Sequence, residues 1–220
     1  MYSWDFYTVF QSWDLFLYGL WLTFVYSVGS IVLGVIFGLI VCFARLSKVT
    51  LFSAAARVYL ELFRCMPLLV LVLWFYYALP MLTGMSIENT TAALLALSLY
   101  VSAFYAEIFR GGIKAVDSGQ HEAGAAIAMS HVQIMWRIIL PQAAKKMLPA
   151  FINQSVIQVK NTSLASVISV AELSYMGAVV NGDTYRPLES YTLVAVLYFL
   201  LLFPLTQVAD RVEKKLRLSD

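Results

Sequence analysis

Apolar residues in this chain gather into runs long enough to cross a bilayer, separated by short polar stretches. A membrane span needs roughly 20 mostly apolar residues. Five stretches qualify, at about 17–44, 58–80, 90–112, 151–179 and 189–209. The first is longer than a bilayer requires and must tilt or protrude. The fourth is interrupted by Lys160-Asn161-Thr162-Ser163. No internal repeat is visible, so the pattern gives no support to an inverted-repeat carrier. Between the third and fourth runs lies HEAGAAIAMSHVQIMWRIILPQA, His121 to Ala143, which has polar residues and reads as two short helices.

Composition agrees with the runs. Hydrophobic residues make up 61% and charged ones 13% of 220 residues, where a soluble domain carries about 25% charge. The expectation is an all-α integral membrane protein of one domain, too short for an added soluble module. A net charge of +2 carries no nucleic-acid signal. Met1 to Leu15 contains Asp5 and Asp14 but no Lys or Arg, so it lacks the basic start of a signal peptide. Cys42 and Cys65 read as small core residues, with no disulfide framework or metal spacing. The basic residues set the orientation. Arg45, Lys48 and Arg57 follow the first run; Arg110, Lys114, Arg137, Lys145 and Lys146 separate the third from the fourth; Arg211, Lys214, Lys215 and Arg217 end the chain. Only Arg186 falls on the other side, and Arg64 and Lys160 lie in or near the membrane. The asymmetry places the N-terminus outside and the C-terminus in the cytoplasm.

The stretch at 121–143 is then cytoplasmic. Ser118 is a candidate N-cap for a helix through Ala128, with Glu122 favourably placed in its first turn. Ala125, Ala126, Ile127 and Met129 give it a small apolar surface. Ser130 caps a second helix through Leu140, with Ile134, Met135, Ile138 and Ile139 at helical spacing. Pro141 stops or kinks it. Two such helices form either a compact knob for a partner's groove or an interfacial pair lying on the membrane; the residues alone leave both open.

Polar residues inside the runs mark further candidates. Gln154, Gln158 and Asn161 fall on one face of the fourth run, with Lys160 beside them and Thr162 and Ser163 following. A broken membrane helix exposes backbone N–H and C=O groups, and a zwitterion needs such groups together with a cation. One reading makes this break the lining of a substrate path; the other pairs Lys160 with a buried carboxylate to fix helix packing. Arg57, Glu61 and Arg64 allow ion pairs along the second run, either as a snorkelling cluster or with Arg64, near Pro67, lining a cavity or gate. Glu107 and Arg110 read as structural. Ser30, Gly34, Gly38 and Cys42 recur every four residues, a helix-packing signal. Trp74, Phe75, Tyr76 and Tyr77 fit an aromatic belt. His121 and His131 form no HExxH pattern and read as solvated surface residues; neither a phosphate loop nor a cysteine cluster supports an enzyme.

Several motifs resemble one family. Glu122-Ala123-Gly124, three residues, Ala128, nine residues, then Ile138-Ile139-Leu140-Pro141 is similar in spacing to the EAA loop of permease subunits in bacterial ABC importers. Gly124 stands where that family usually has Ala, and Ala128 where it usually has a Gly that eases the turn between the short helices. ELFRCMPLLVLVLWFYYALP (61–80) resembles the F-R-x-x-P-L stretch of the polar amino acid subfamily. VKNTSL (159–164) and YAEIFRGGI (105–113) resemble its K-[DN]-T-S-L and Y-x-A-E-x-x-R-x-G-I runs. The resemblance implies a five-span type I importer permease of the bacterial inner membrane, without catalytic activity. It implies docking on two cytoplasmic ATPases through Glu122, Ala123, Gly124, Ala128, Met129, Ser130, Ile138, Leu140 and Pro141. It also implies ATP and Mg on those partners and no cofactor here, a second permease (identical or homologous), and an extracytoplasmic amino-acid-binding protein. Arg64, Gln154, Gln158, Lys160, Asn161, Thr162 and Ser163 are the pathway candidates. The alternative class is a stand-alone, ion-coupled amino acid carrier, which would want more spans and mid-membrane acids.

Overall fold

The computed structural model describes residues 2–217, and among them the chain is built of helices with no strand. In order these are α1 (Phe6–Phe10), α2 (Trp13–Leu46), α3 (Thr50–Cys65), α4 (Leu68–Leu73), α5 (Leu79–Thr83) and α6 (Asn89–Lys114). There follow α7 (Ser118–Ala126), α8 (His131–Ile134), α9 (Leu140–Asn161), α10 (Leu173–Thr184) and α11 (Pro187–Arg217). Three of them, α2, α6 and α11, are long and apolar enough to cross a membrane, and two bent pairs raise the number to five if each pair is one span. The 34 residues of α2 extend about 51 Å at 1.5 Å per residue, well beyond the roughly 30 Å hydrocarbon core. The short α1 has no counterpart among the apolar runs; Asp5 caps it, its carboxylate accepting the Thr8 N–H at 3.2 Å and the Thr8 hydroxyl at 2.6 Å.

The seam between α2 and α6 organises the core. Ser30, Gly34, Gly38 and Cys42 are all buried on α2. A Cβ at Gly34 would stand 2.4 Å from Val101 Cγ1, and one at Gly38 would stand 3.0 Å from the Ser102 carbonyl. The small-residue stripe therefore serves packing within the chain, where removing side chains lets two backbones approach. Tyr105, fully buried, shares a hydrogen bond with Ser155 at 2.8 Å and so ties α6 to α9. Tyr59 reaches from α3 to the Leu99 carbonyl and the Ser102 hydroxyl, at 3.0 and 2.7 Å. A second cluster, with Val9, Phe16, Leu173, Val180 and Val194, packs α10 against α1, α2 and α11.

The expected second span is not one straight helix. The axes of α3 and α4–α5 differ by 106°, because Met66 and Pro67 are both extended. Proline forces its predecessor out of the helical region and cannot donate to the turn before it. Two other prolines leave their helices running, Pro141 among them, which the sequence suggested would stop or kink its helix. Pro80 and Pro141 do not end their helices; each sits in the first turn of the next helical segment, directly after a five-residue π turn, Trp74–Ala78 and Met135–Ile139. In each case the leucine before the proline donates its N–H to the carbonyl five residues back, Leu79 to Trp74 and Leu140 to Met135. The widened turn makes room for a ring that would collide with the carbonyl four residues back in a regular helix.

Candidate functional sites: a helical knob and a broken span

The 115–143 region folds as a knob around its own small core. Val116, Ile134, Ile139 and Ala143 are buried, with Met129 and Ile138 packed against them. Asp117, one residue earlier than expected, caps α7 through the Gly119 N–H at 2.7 Å. Ser130 caps α8 as expected and forms a capping box with Gln133, at 3.3 and 2.9 Å. The link between the helices is a Schellman turn: Met129 N–H donates to the Gly124 carbonyl at 3.1 Å and Ala128 N–H to the Ala125 carbonyl at 3.0 Å. That turn needs a left-handed residue, and Ala128 supplies it at φ 60°, at a cost of roughly 1–2 kcal/mol. Gly124 is buried, and a Cβ there would lie 2.8 Å from Ile134 Cγ1. Glycine at 124 thus fits the isoleucine at 134. Lys146 Nζ donates to the Ala115 carbonyl at 2.7 Å, and Gln142 to Gln120 at 3.1 Å, bracing the knob against α6 and α9. His121 and His131 are exposed and hydrogen-bond each other at 3.1 Å.

What the knob presents outward is partly new. Glu122, Ala123, Ala128, Ser130 and Pro141 are exposed, whereas Gly124 is buried and Met129, Ile138 and Leu140 are half-buried. Three large apolar side chains stand out: Ile127 at 72% exposure, Trp136 at 69% and Val132 at 64%. Val132 and Trp136 are four residues apart, on the side of the helix opposite Ile134 and Ile138. Glu122 has no cation within 4.0 Å among the described residues.

The fourth span breaks later than Lys160–Ser163. Helix α9 includes Lys160 and Asn161, a 3-10 turn runs from Thr162 to Ile168, and Ser169 takes a left-handed conformation at φ 59°. Hydroxyls explain the tightening. Thr162 donates to the Val159 carbonyl at 2.7 Å, Ser163 to Lys160 at 2.8 Å and Ser166 to Ser163 at 2.7 Å. Past the turn, Asn89 Nδ2 donates to the carbonyls of Ile168 and Ser169 at 3.1 and 2.9 Å. Leu173 N–H reaches Thr23 Oγ1 at 3.1 Å, and Tyr175 N–H reaches the Glu172 carboxylate at 2.9 Å. These groups of the break are therefore met by protein side chains rather than left open toward a cavity.

The polar face divides in two. Gln158 is fully buried, its Nε2 donating to Ser30 Oγ at 3.1 Å and the Leu97 carbonyl at 3.3 Å, so it joins α9 to α2 and α6. Thr162 is also buried. Gln154, Asn161 and Ser163 are half-buried, and Lys160 is exposed. No carboxylate lies within 4.0 Å of Lys160 among the described residues, so the pairing that would make it a packing residue is not formed. Arg64 stands apart. It lines a cavity of about 780 Å3 with Arg45, Arg57, Glu61, Glu107 and Arg110, and none of residues 154–163 lines it. Within that cavity only Glu107 and Arg110 form an ion pair among the described residues, a two-pronged one at 2.9 and 2.6 Å. The ion pairs that the spacing of Arg57, Glu61 and Arg64 allows are absent there, and Arg64 lines a cavity, as one of the two readings had it.

Over residues 15–218 the chain matches the family described as binding-protein-dependent transport system inner membrane component. It belongs to that family. Among curated proteins it is 36% identical over 206 residues to the probable glutamine ABC transporter permease protein GlnP of Bacillus subtilis, covering 91% of each chain. It is 32% identical to the arginine transport system permease protein ArtQ of the same organism, over 98% of this chain and 99% of that one. The glutamine transport system permease protein GlnP of Escherichia coli K12 is 33% identical, over 97% and 98%. Among solved structures, a chain of an amino acid ABC transporter with histidines superposes with a TM-score of 0.91 at 34% identity, covering 97% of this chain and all of that one. A chain of the MetNI methionine ABC transporter shares the fold, at a TM-score of 0.70 and 21% identity.

The helical architecture is thus that of a type I importer permease, a multi-pass membrane protein. Two buried acids of this permease escaped the reading of its sequence. Glu172 caps α10 and accepts the Tyr198 hydroxyl at 2.6 Å, joining α10 to α11. Glu189 accepts the Asp5 N–H at 2.8 Å and the Tyr2 hydroxyl, holding the N-terminal segment against the start of α11. An acid opening a helix, as in Ala171-Glu172-Leu173, was the signal available for the first.

Proposed function

We propose that this chain is the non-catalytic transmembrane subunit of an ATP-driven importer of polar amino acids in a bacterial inner membrane. Its 220 residues form one permease domain with the N-terminus outside and the C-terminus in the cytoplasm. The family supports the dependence on a binding protein, and relatives named for glutamine and arginine support the cargo class. The general assembly of such importers supplies the rest: two ATPases carrying ATP and Mg, a second permease and an extracytoplasmic binding protein. The observation that carries the coupling role is the preformed knob with Ile127, Val132 and Trp136 exposed, and with Glu122 also exposed and without an ion pair among the described residues. One aromatic anchor flanked by aliphatic side chains suits a groove on a partner.

Lys160 supports the location of the path. Its side chain is exposed, between the exposed Ile157 and Val167 on the same stretch of helix. A charge left facing acyl chains costs about 2.5–3.5 kcal/mol, so an unpaired ammonium belongs against water, substrate or the second permease. Gln154, Asn161 and Ser163 line the path beside it, while Gln158 and Thr162 hold the wall in place. Arg64 stays out of this path because it lines the separate charged cavity.

The test is reconstitution of the complete transporter with its binding protein and a panel of amino acids. Glu122→Lys and Trp136→Ala should abolish uptake and leave ATP hydrolysis unresponsive to loaded binding protein. Lys160→Ala should weaken uptake without disturbing assembly. Normal uptake by either knob variant would defeat the coupling role. Uptake by this chain alone, driven by an ion gradient in liposomes, would defeat the whole reading.

A further inference from the structure

We infer that the cavity between α2, α3 and α6 holds the phosphate of an anionic phospholipid, with the acyl chains lying along the apolar side of α3. The charge balance comes first. Four guanidiniums, Arg45, Arg57, Arg64 and Arg110, line about 780 Å3 with two carboxylates, Glu61 and Glu107. Arg110 already occupies both oxygens of Glu107. Four guanidiniums against two carboxylates leave the lining with an excess of two positive charges, and no carboxylate comes within 4.0 Å of Arg57 or Arg64 among the described residues. Arg64 instead lies over the Phe104 ring at 5.9 Å, and Arg45 donates to the Ser53 hydroxyl at 3.0 Å. Cations held together in excess of their counter-charge raise the affinity of the space for an anion, and guanidiniums match phosphate oxygens two bonds at a time.

Arg57 also lines an adjoining cavity of about 420 Å3, with Lys48 and the hydroxyl residues Ser47, Thr50 and Ser53. The two spaces form one basic recess with further donors for phosphate and glycerol oxygens. Its level in the bilayer and its rim decide in favour of a lipid. Arg45 lies in the last turn of α2 and Arg110 close to the end of α6, where headgroups sit if these helices span. The neighbouring surface of α3 exposes Leu51, Phe52, Val58 and Leu62. A helix with charges on one side and exposed apolar residues on another lies at the interface of a bilayer, and basic pockets between helices at the cytoplasmic level suit anionic headgroups. A free phosphate ion would use the arginines but not the apolar rim.

The experiment uses the complete transporter in nanodiscs containing phosphatidylcholine and phosphatidylglycerol, with native mass spectrometry counting the lipids retained. Selective retention of phosphatidylglycerol is expected. Arg57→Gln should weaken it about fivefold, the effect of one basic residue near a membrane surface, and Arg57→Lys should keep most of it. If Arg57→Gln fails to assemble, Lys48→Gln, which alters only the outer recess, should lower retention in the same direction. Saturating inorganic phosphate should not displace the lipid; displacement would assign the cavity to free phosphate and overturn the proposal. Equal retention of the two lipids, or retention indifferent to both substitutions, would overturn it as well.

Discussion

Ala128 should be a strained residue whose replacement by glycine tightens the knob. Its φ of 60° closes the turn between α7 and α8, a conformation costing an L-residue roughly 1–2 kcal/mol. Glycine removes that cost but loosens the open form of the loop by about 0.4–1 kcal/mol. The net gain for Ala128→Gly is therefore on the order of 0.5–1 kcal/mol, or about two- to fivefold in the closed-to-open ratio of the turn. The Met129 N–H, bonded to the Gly124 carbonyl at 3.1 Å, reports that ratio through amide hydrogen exchange in the assembled transporter. Its exchange should slow by that factor in Ala128→Gly while uptake is preserved. Ala128→Val should accelerate it, because a β-branched residue tolerates positive φ less well, and should reduce the coupling of ATP hydrolysis to uptake. Unchanged or faster exchange in Ala128→Gly, with wild-type behaviour of Ala128→Val, would refute the left-handed turn and the strain argued from it.

Gln158→Leu should cost about 1 kcal/mol of stability, the scale of a lost hydrogen bond between membrane helices, because Ser30 and Leu97 lose their shared donor. Denaturation in mixed micelles measures this; an unaltered KM for uptake is expected, and a raised KM with intact stability would return Gln158 to the path. Glu172→Ala should cost about 1–2 kcal/mol, combining a lost helix cap with loss of the Tyr198 hydroxyl's short acceptor, which leaves that hydroxyl the longer contact with Ser174 at 3.4 Å. Glu172→Gln, which keeps an acceptor, should recover part of that loss in the same assay. Equal stability of both variants and wild type would remove Glu172 from the tie between α10 and α11.

The apolar runs announce the membrane helices, since nothing else tolerates such length, and the spacing from Glu122 to Pro141 announces the knob. Irregularities were harder to read. Pro67 marks a break in the sequence, but the 106° angle depends on Met66 and Pro67 both being extended, which the sequence pattern does not state. Lys160 to Ser163 looks like a rupture because polar residues interrupt an apolar run; the hydroxyls instead bond backward and carry the helix on to Ile168. Gln154, Gln158 and Asn161 share a helical face by spacing, yet α2 and α6 cover only its middle, which no pattern along one chain reveals. On the knob, Val132 and Trp136 were overshadowed by the isoleucines at 134, 138 and 139, because apolar spacing identifies a buried face and says little about apolar residues left outside it. Gly124, one departure from the family's pattern, acquires a cause, because Ile134 fills the place of a side chain there; the Schellman turn at 128 favours glycine, and nothing in the structure explains the alanine.

Pro141 matters most for the proposed coupling. Had it ended the second short helix, the knob would hang on a loop, and a push on Trp136 would dissipate before reaching the membrane. The π turn at Met135–Ile139 lets helical structure run on from His131 to Asn161, roughly 45 Å at the rise of an α-helix. Val132 and Trp136 stand at one end of that run and Lys160 at the other. At the near end the knob core grips it through Ile134, Ile139 and Ala143; in the middle Lys146 ties it to the Ala115 carbonyl; toward the far end Tyr105 holds it through Ser155 and Gln158 fastens it to α2 and α6. A force applied by a closing motor therefore meets a braced helix instead of a flexible tether. The break at Ser169–Glu172, with its backbone bonds taken up by Asn89, Thr23 and the Glu172 side chain, is where that helix gives way to α10. Under the proposed coupling, movement of the knob and rearrangement beside Lys160 are two ends of one displacement, which is what an importer with its motor on one side and its cargo on the other requires.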